Sequence, residues 1–399
     1  MTVFVIDVDR FRTVNDLLGY DLGDAMLRAI GERLAGWAAP GGVAARISAD
    51  EFAIVCPGHG GDTAAGARQL ADIVATPIEL GGLAVSRSAS VGYAFGVDSV
   101  IGLYRRADEA KRSVKASGGD AQRAFERAMS DEAFTTASIE LYMRAALATD
   151  SLGLAYQPEF DLRTGSLLAV EALVRWQHPT LGPLLPDQFI DVAEGANMMR
   201  ELGEWVLRRA CRQRAAWTEQ LGGRPMMLRV NLSPAQLAGH HLVDLVRSLL
   251  DENGLPGSQL CLEITERAVA PDVVHVASVL GTLRAAGVTT AIDDFGTGHN
   301  SLTYLKSMPV DTLKIDRSFV AGLGTDAGDT VIVEALVRLA EQLGIGVVAE
   351  GVETEVEVAE LIRIGCYRAQ GHLFSEPMSA QDLDPLIRAG RLPSGARRL

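Results

Sequence analysis

Glu171, Asn231, Glu263, the adjacent Asp293 and Asp294, Lys314, Glu350 and Gln370 each close a short apolar run in the second half of the chain. Carboxylates and an amide oxygen are hard ligands, suited to Mg2+ or Mn2+ rather than to a thiol-seeking metal. Two adjacent aspartates can hold two ions about 3.5–4 Å apart, the spacing used for in-line displacement at phosphodiesters. Neighbouring side chains at a strand end start in opposite directions, so the chain must turn there, and Gly296 and Gly298 permit the turn. Lys314 among these acids has three available roles: polarising a bound water, neutralising a phosphate oxygen, or forming a structural ion pair. A single acid at a strand end is ordinarily a solvated cap. Seven strands in succession delivering acids, amides and a lysine are better explained by a site.

The elements that would position them are eight strands, at 152–160, 167–176, 226–233, 259–266, 288–296, 310–316, 346–353 and 367–374. Helix-period segments follow the later ones, and the whole occupies about 225 residues, close to the size of a (β/α)8 barrel. Strand ends in such a barrel converge on one rim. The first half of the chain has a different rhythm, with strands at 2–8 and 84–95, helices at 21–36 and 62–76, and a hairpin over 43–56. That alternation predicts a mixed α/β domain of about 120 residues. Residues 105–147 are alanine-rich, charged and free of proline, and predict one or two helices leading to the barrel. The domain boundaries follow as 1–128, a helical linker over 129–150, and 151–392.

The bulk properties narrow the partners. Net charge is −14 with no basic stripe, which excludes duplex nucleic acid and leaves an anionic ligand in need of metal ions or local cations. Cys56, Cys211, Cys261 and Cys366 are far apart and form no CxxC pair, as expected of free thiols in a reducing compartment. No apolar run approaches the roughly 18 residues of a membrane span, and "MTVFVIDVDRF" is not a signal peptide, so a cytoplasmic location is expected.

The motifs carry a resemblance. "EALVRWQHP" (171–179), "NLSPAQL", "LEITE", "IDDFGTG", "LKIDRSFV", "VVAEGVET" and "QGHLFSEP" occur in the order of the EAL domain of bacterial cyclic di-GMP phosphodiesterases, and residues 152–388 resemble it along nearly their whole length. The resemblance implies an α/β fold, a TIM-like barrel whose first strand runs antiparallel to the rest. It also implies metal-dependent hydrolysis of cyclic di-GMP to linear pGpG, and a homodimer through that domain. Position by position, it implies that Glu171, Asn231, Glu263 and Asp293 hold one metal and that Asp293 bridges to a second near Asp294. Lys314 would orient the attacking water, and Glu350 would bind or deprotonate it. Gln157, Arg175 and Gln370 would contact substrate, with Glu266 and Glu353 supporting the strand 5 loop and the catalytic group. The chain departs from the family at His299-Asn300-Ser301, where Tyr-Ser-Ser is usual, and at Tyr367 and Gly371-His372. A non-catalytic cyclic di-GMP receptor is the alternative.

The first 128 residues resemble a truncated GGDEF (diguanylate cyclase) domain through "VFVIDVDRFRTVNDLLGYDLGDAML", "ARISADEFAIV", "ASVGYA" and "ADEAKRSVKASGGD". Asp7, Asn15, Asp24, Asp50, Glu51 and Lys115 fall at the family's metal and nucleotide positions. Ser48 and Ala49 replace the two signature glycines. A Cβ there restricts the backbone that must close its N–H groups on a triphosphate. The expectation is a degenerate, regulatory domain that has lost cyclase activity and retains a GTP site.

Overall fold

A computed structural model describes residues 1–399 except 39–40, 58–62, 150, 240, 270–271, 297–304, 306–307 and 393–399. It divides into two compact units, Met1–Ala137 and Ser138–Leu399. The first contains strands β1 (Thr2–Val8), β2 (Val43–Arg46), β3 (Glu51–Cys56), β4 (Ile78–Leu80), β5 (Leu83–Val85), β6 (Ala89–Phe95) and β7 (Gln122–Ala124). Its main sheet has the order β2-β3-β1-β6-β7, with β1 central and buried along its whole length. Helices α1 (Phe11–Leu18), α2 (Tyr20–Ala38), α3 (Thr63–Ala75) and α4 (Val100–Ala116) belong to this unit, and α5 (Arg127–Thr149) spans the division.

Three features differ from the sequence reading. The strand expected over 84–95 is two strands: β5 pairs with β4 through a two-residue turn at Gly81-Gly82, both at positive φ (57° and 84°), and β6 begins only at Ala89. That turn is the type whose twist suits a hairpin, and glycine adopts it without strain. The helix expected over 21–36 appears as α2, but a further helix, α1, set off from it by Gly19 (φ 85°), was not foreseen. Strand β7, parallel to β6, was not foreseen, because three residues show no periodicity.

The second unit is a closed eight-stranded barrel of β8 (Leu152–Asp161), β9 (Leu167–His178), β11 (Met227–Leu232), β12 (Leu260–Thr265), β13 (Thr289–Phe295), β14 (Thr312–Ile315), β15 (Gly346–Ala349) and β16 (Arg368–Ala369). A short strand, β10 (Gly182–Leu184), hangs on β9 as a hairpin. Neighbours from β9 to β16 are parallel, whereas β8 is antiparallel to both β9 and β16 and closes the barrel between them. The reason is the short link. Residues 162–166 are too few for the helical crossover a parallel pair needs. The Asp161 carboxylate accepts from the N–H groups of Arg163 and Thr164 and sets the tight turn. Outward side chains such as Leu228, Val230, Leu262, Ile264, Ile292 and Leu313 pack with the surrounding helices into one core. Ile139, Met143 and Ala146 of α5 join that core at helical spacing. The inward face is polar and holds the candidate site. Among the described residues no helix is long and apolar enough to cross a membrane, and all four cysteines are free.

Candidate active site

Alternation along each strand points Glu171 (β9), Asn231 (β11), Glu263 (β12), Asp293 (β13) and Lys314 (β14) toward the barrel axis. Registers that pair Asn231 with Glu263 and Gln157 with Glu171 bring them to one level. Lys314 is the hub. Its fully buried Nζ lies 3.1 Å from Glu171 Oε2, 2.7 Å from Glu263 Oε2, 3.2 Å from Asp293 Oδ1 and 2.7 Å from Glu350 Oε1. Amides complete the ring. Asn231 Nδ2 donates to Glu171 Oε1 at 2.7 Å, and Gln370 Nε2 donates to Glu171 Oε2 at 2.7 Å and Glu350 Oε1 at 2.8 Å.

The acids fall into two groups whose oxygens approach within 4.8 Å: Glu171, Glu263 and Asp293, and Asp293, Asp294 and Glu350. Asp293 belongs to both. Every donor is an oxygen, with no thiol or imidazole in either group, and this set fits Mg2+ or Mn2+. Asn231 spends its amide nitrogen on Glu171 and has its oxygen left as a ligand atom. Asp294 reaches its place through a left-handed backbone (φ 53°), followed by Gly296 at φ 103°, which is the turn the adjacent aspartates required.

Burial sets the electrostatics. Desolvation opposes charge on Glu171, but the Lys314 charge and hydrogen bonds from Gln370, Lys314 and Asn231 outweigh it and hold the carboxyl below its ordinary range. Desolvation, with the charges of Glu171 and Asp293, pushes Glu263 up to about 8 against the pull of Lys314 and Arg229. Desolvation and the neighbouring carboxylates likewise raise Glu350 well above its ordinary value despite Lys314. Desolvation and the Asp293 charge raise Asp294. Burial alone would discharge Lys314, but Asp293, Glu171, Glu263 and Glu350 raise it instead.

The remaining predicted residues divide. Arg175 is on the same face of β9 as Glu171, with Nη1 donating to the Val174 carbonyl, and Gln157 Nε2 donates to the Ser375 carbonyl. Glu171 does not end its strand: β9 continues to His178, because pairing with β8 and β10 extends it. Glu266, just after β12, is buried, and neither carboxylate oxygen has a hydrogen-bond partner among the described residues. The structure does not bring Glu353 to the acid ring. Gly351 (φ 65°) turns the chain away after Glu350, and Glu353 pairs with Arg317 at 2.7 Å near the surface. His299, Asn300 and Gly298 lie outside the described residues.

Sequence reasoning missed the level beneath the acids. Arg229, two residues before Asn231, is buried with Nε donating to Glu159 Oε2 at 2.6 Å. Glu159, two residues beyond Gln157 on the oppositely running β8, is 1% exposed. The available signal was the two-residue period, which puts both charges on the inward face.

In the first unit two of the acids, Asp7 and Glu51, are already paired. Asp7 contacts Lys115 Nζ at 2.5 Å. Glu51 accepts from Lys111 Nζ at 2.9 Å and Tyr104 Oη at 2.8 Å. Asp50 lies beside the end of β1, where its carbonyl accepts from Val8 N–H. Arg46 donates to the carbonyls of Ser48 and Ala49, tying the hairpin loop, and reaches to 4.0 Å from Asp24. Asn15 packs on Gly23, where a Cβ would come within 2.0 Å of its Oδ1. Neither Ser48 nor Ala49 adopts a positive φ.

Residues 142–377 match the family model for the EAL domain, and residues 1–121 match that for the diguanylate cyclase, GGDEF domain. An uncharacterized protein of Mycobacterium tuberculosis is 41% identical over 97% of this chain and 63% of its own length. MucR of Pseudomonas aeruginosa, named a bifunctional diguanylate cyclase/cyclic di-GMP phosphodiesterase, is 38% identical over 96% of this chain and 56% of its own. The chain thus spans about three fifths of the length of these curated relatives. The solved structure of PaMucR phosphodiesterase in complex with c-di-GMP superposes with a TM-score of 0.58, at 43% identity over 61% of this chain and 99% of that one.

Proposed function

The chain belongs to the EAL domain family, with a GGDEF domain preceding the barrel, and from that premise we propose that it hydrolyses one phosphodiester of cyclic di-GMP to linear 5′-pGpG in a reaction dependent on Mg2+ or Mn2+. The observation that carries the reading is the two three-acid groups sharing Asp293 around Lys314. Bound there by Glu171, Asn231, Glu263, Asp293, Asp294 and Glu350, metal ions would supply Lewis acidity and an acidified water. Arg175 and Gln157 hold and orient the phosphate and the rest of the substrate. Lys314 donates hydrogen bonds that direct the attacking water. Glu350, fixed by Lys314 and Gln370, accepts a proton as the new P–O bond forms and the ester P–O bond breaks. Asn231 and Gln370 keep the Glu171 carboxylate in one orientation. The reading includes a cytoplasmic dimer formed through the barrel.

The GGDEF domain is read as regulatory, with GTP as its ligand at Asp7, Asn15, Asp24, Asp50 and Lys115 and no cyclase activity. Ser48 and Ala49 support the loss of cyclase chemistry, and so does the engagement of Glu51 by Lys111 and Tyr104. The test is to incubate the purified chain with cyclic di-GMP and either metal, with and without GTP, and to separate products by chromatography. The expected result is pGpG, its rate changed by GTP, and none from Glu171→Ala. Binding of cyclic di-GMP without hydrolysis by the unmodified chain would make it a receptor instead. Unchanged kinetics at saturating GTP would remove only the regulatory part.

A pH dependence follows from Glu263. Its carboxyl titrates near 8 in the metal-free fold against an ordinary 4.5. The folded chain therefore binds a proton that the unfolded chain lacks between these values, so the group's contribution is complete below the lower one and is lost as pH rises through the higher. Metal binding requires the carboxylate and expels that proton. Calorimetry at pH 7 in buffers of different ionisation enthalpy is expected to detect proton release on Mn2+ binding, with affinity climbing toward pH 8. Absence of any released proton would contradict this assignment.

A further inference from the structure

Beneath the acid ring, the Arg229 guanidinium has a choice of two carboxylates. Its short contact, 2.6 Å from Nε, goes to Glu159, and only a long one, 3.4 Å from Nη1, goes to Glu263. The same Nη1 lies 3.2 Å from Cys261 Sγ. Both ions are buried, with side chains 3% and 1% exposed, and Glu159 Oε1 has no hydrogen-bond partner among the described residues. Glu159 is thus committed to Arg229. A buried pair of this kind is a poor source of stability, since apolar residues of the same volume commonly do as well or better. Its position supplies another reason for it. Glu263 is the acid of the first metal group that Arg229 would claim if it were released.

We propose that Glu159 is a positioning residue for the metal centre: by holding Arg229, it withholds that cation from Glu263 and leaves the Glu263 carboxylate for a divalent ion. This rests on the metal reading above and concerns residues outside the acid ring. With Glu159 neutralised, Arg229 turns its charge wholly to Glu263, where it competes with the incoming metal. Removing both ions removes the competitor.

The experiment is Mn2+ titration of the full chain by calorimetry, with thermal unfolding to confirm that each variant is folded. Glu159→Gln is expected to weaken Mn2+ binding about tenfold, the effect of roughly one buried hydrogen-bonded contact. The double variant Glu159→Met/Arg229→Met is expected to return to within about threefold of the unmodified chain, as removal of the competing charge requires. A merely structural pair would lower the unfolding temperature in both variants and leave Mn2+ affinity unmoved, or would weaken it in both alike. Either outcome overturns the proposal. If the unmodified chain bound no Mn2+, the metal reading itself would fall, and this inference with it.

Discussion

Replacing Lys314 with methionine is expected to lower cyclic di-GMP turnover by about 10³-fold or more, the scale seen when a preorganised donor at the reacting centre is removed. The lysine is fully buried, and its four contacts are all carboxylates: Glu171, Glu263, Asp293 and Glu350. Methionine fills similar volume and donates nothing, so the attacking water loses its guide. The same change removes the cation that, among the described residues, contacts four carboxylates of the ring at once. Breaking a buried ion pair by deleting one partner costs about 3–5 kcal/mol, and here one cation serves several acids. The metal-free variant is therefore expected to unfold at a markedly lower temperature than the parent. Mn2+ should reverse this, because a divalent ion becomes the remaining means of neutralising the ring and stabilises whichever state binds it. The unfolding temperature should rise more on adding Mn2+ in Lys314→Met than in the parent, while turnover stays lost. Turnover within tenfold of the parent at saturating metal would remove Lys314 from the reaction and leave it a structural counter-ion.

Much of this ring was legible in the sequence because barrel geometry is simple. Parallel strands of similar length, each ending in a polar residue, can meet only at one rim, and the acids at 263, 293 and 350 meet there with Lys314. What was not legible arises where pairing partners decide. Nothing local to "EALVRWQHP" says that β9 runs past Trp176 to His178, since that extension comes from pairing with β10. Glu353 follows Glu350 by three residues and invites a shared role, yet the turn at Gly351 sends it to Arg317. Arg229 and Glu159 sit in strands that otherwise look like ordinary barrel staves, and their partnership across β8 and β11 spans 70 residues of sequence.

The first unit shows the same division. The strand over 2–8 appears with the expected bounds. The fate of the hairpin acids depends on side chains far along the chain. Glu51 is engaged by Tyr104 and Lys111 of α4, more than fifty residues later. Glu51 is thereby held among partners of its own fold, and a metal ion at this position would have to compete with Lys111. Acids retained in a signature hairpin do not by themselves imply a working site.

Asp293 and Asp294 together test the two proposed metal positions most sharply. Because it belongs to both three-acid groups, Asp293→Asn should weaken both, whereas Asp294→Asn should weaken only the group formed with Glu350. The amide is a fair probe at each position. At 293 it retains an oxygen to accept from the Asp294 N–H, a contact of 3.1 Å in the parent. At 294 the backbone is left-handed (φ 53°), a conformation asparagine tolerates as well as aspartate. Calorimetry is expected to find two Mn2+ per chain in the parent, one retained near parental affinity in Asp294→Asn, and neither in Asp293→Asn. Turnover should fall by about 10³-fold or more in Asp293→Asn, since the ions that Asp293 would help to hold would supply the Lewis acidity for the displacement. Two undiminished Mn2+ sites in Asp293→Asn would rule out a bridging role. A single site in the parent, lost in Asp293→Asn and untouched in Asp294→Asn, would replace the paired arrangement with a one-ion centre on Glu171, Glu263 and Asp293.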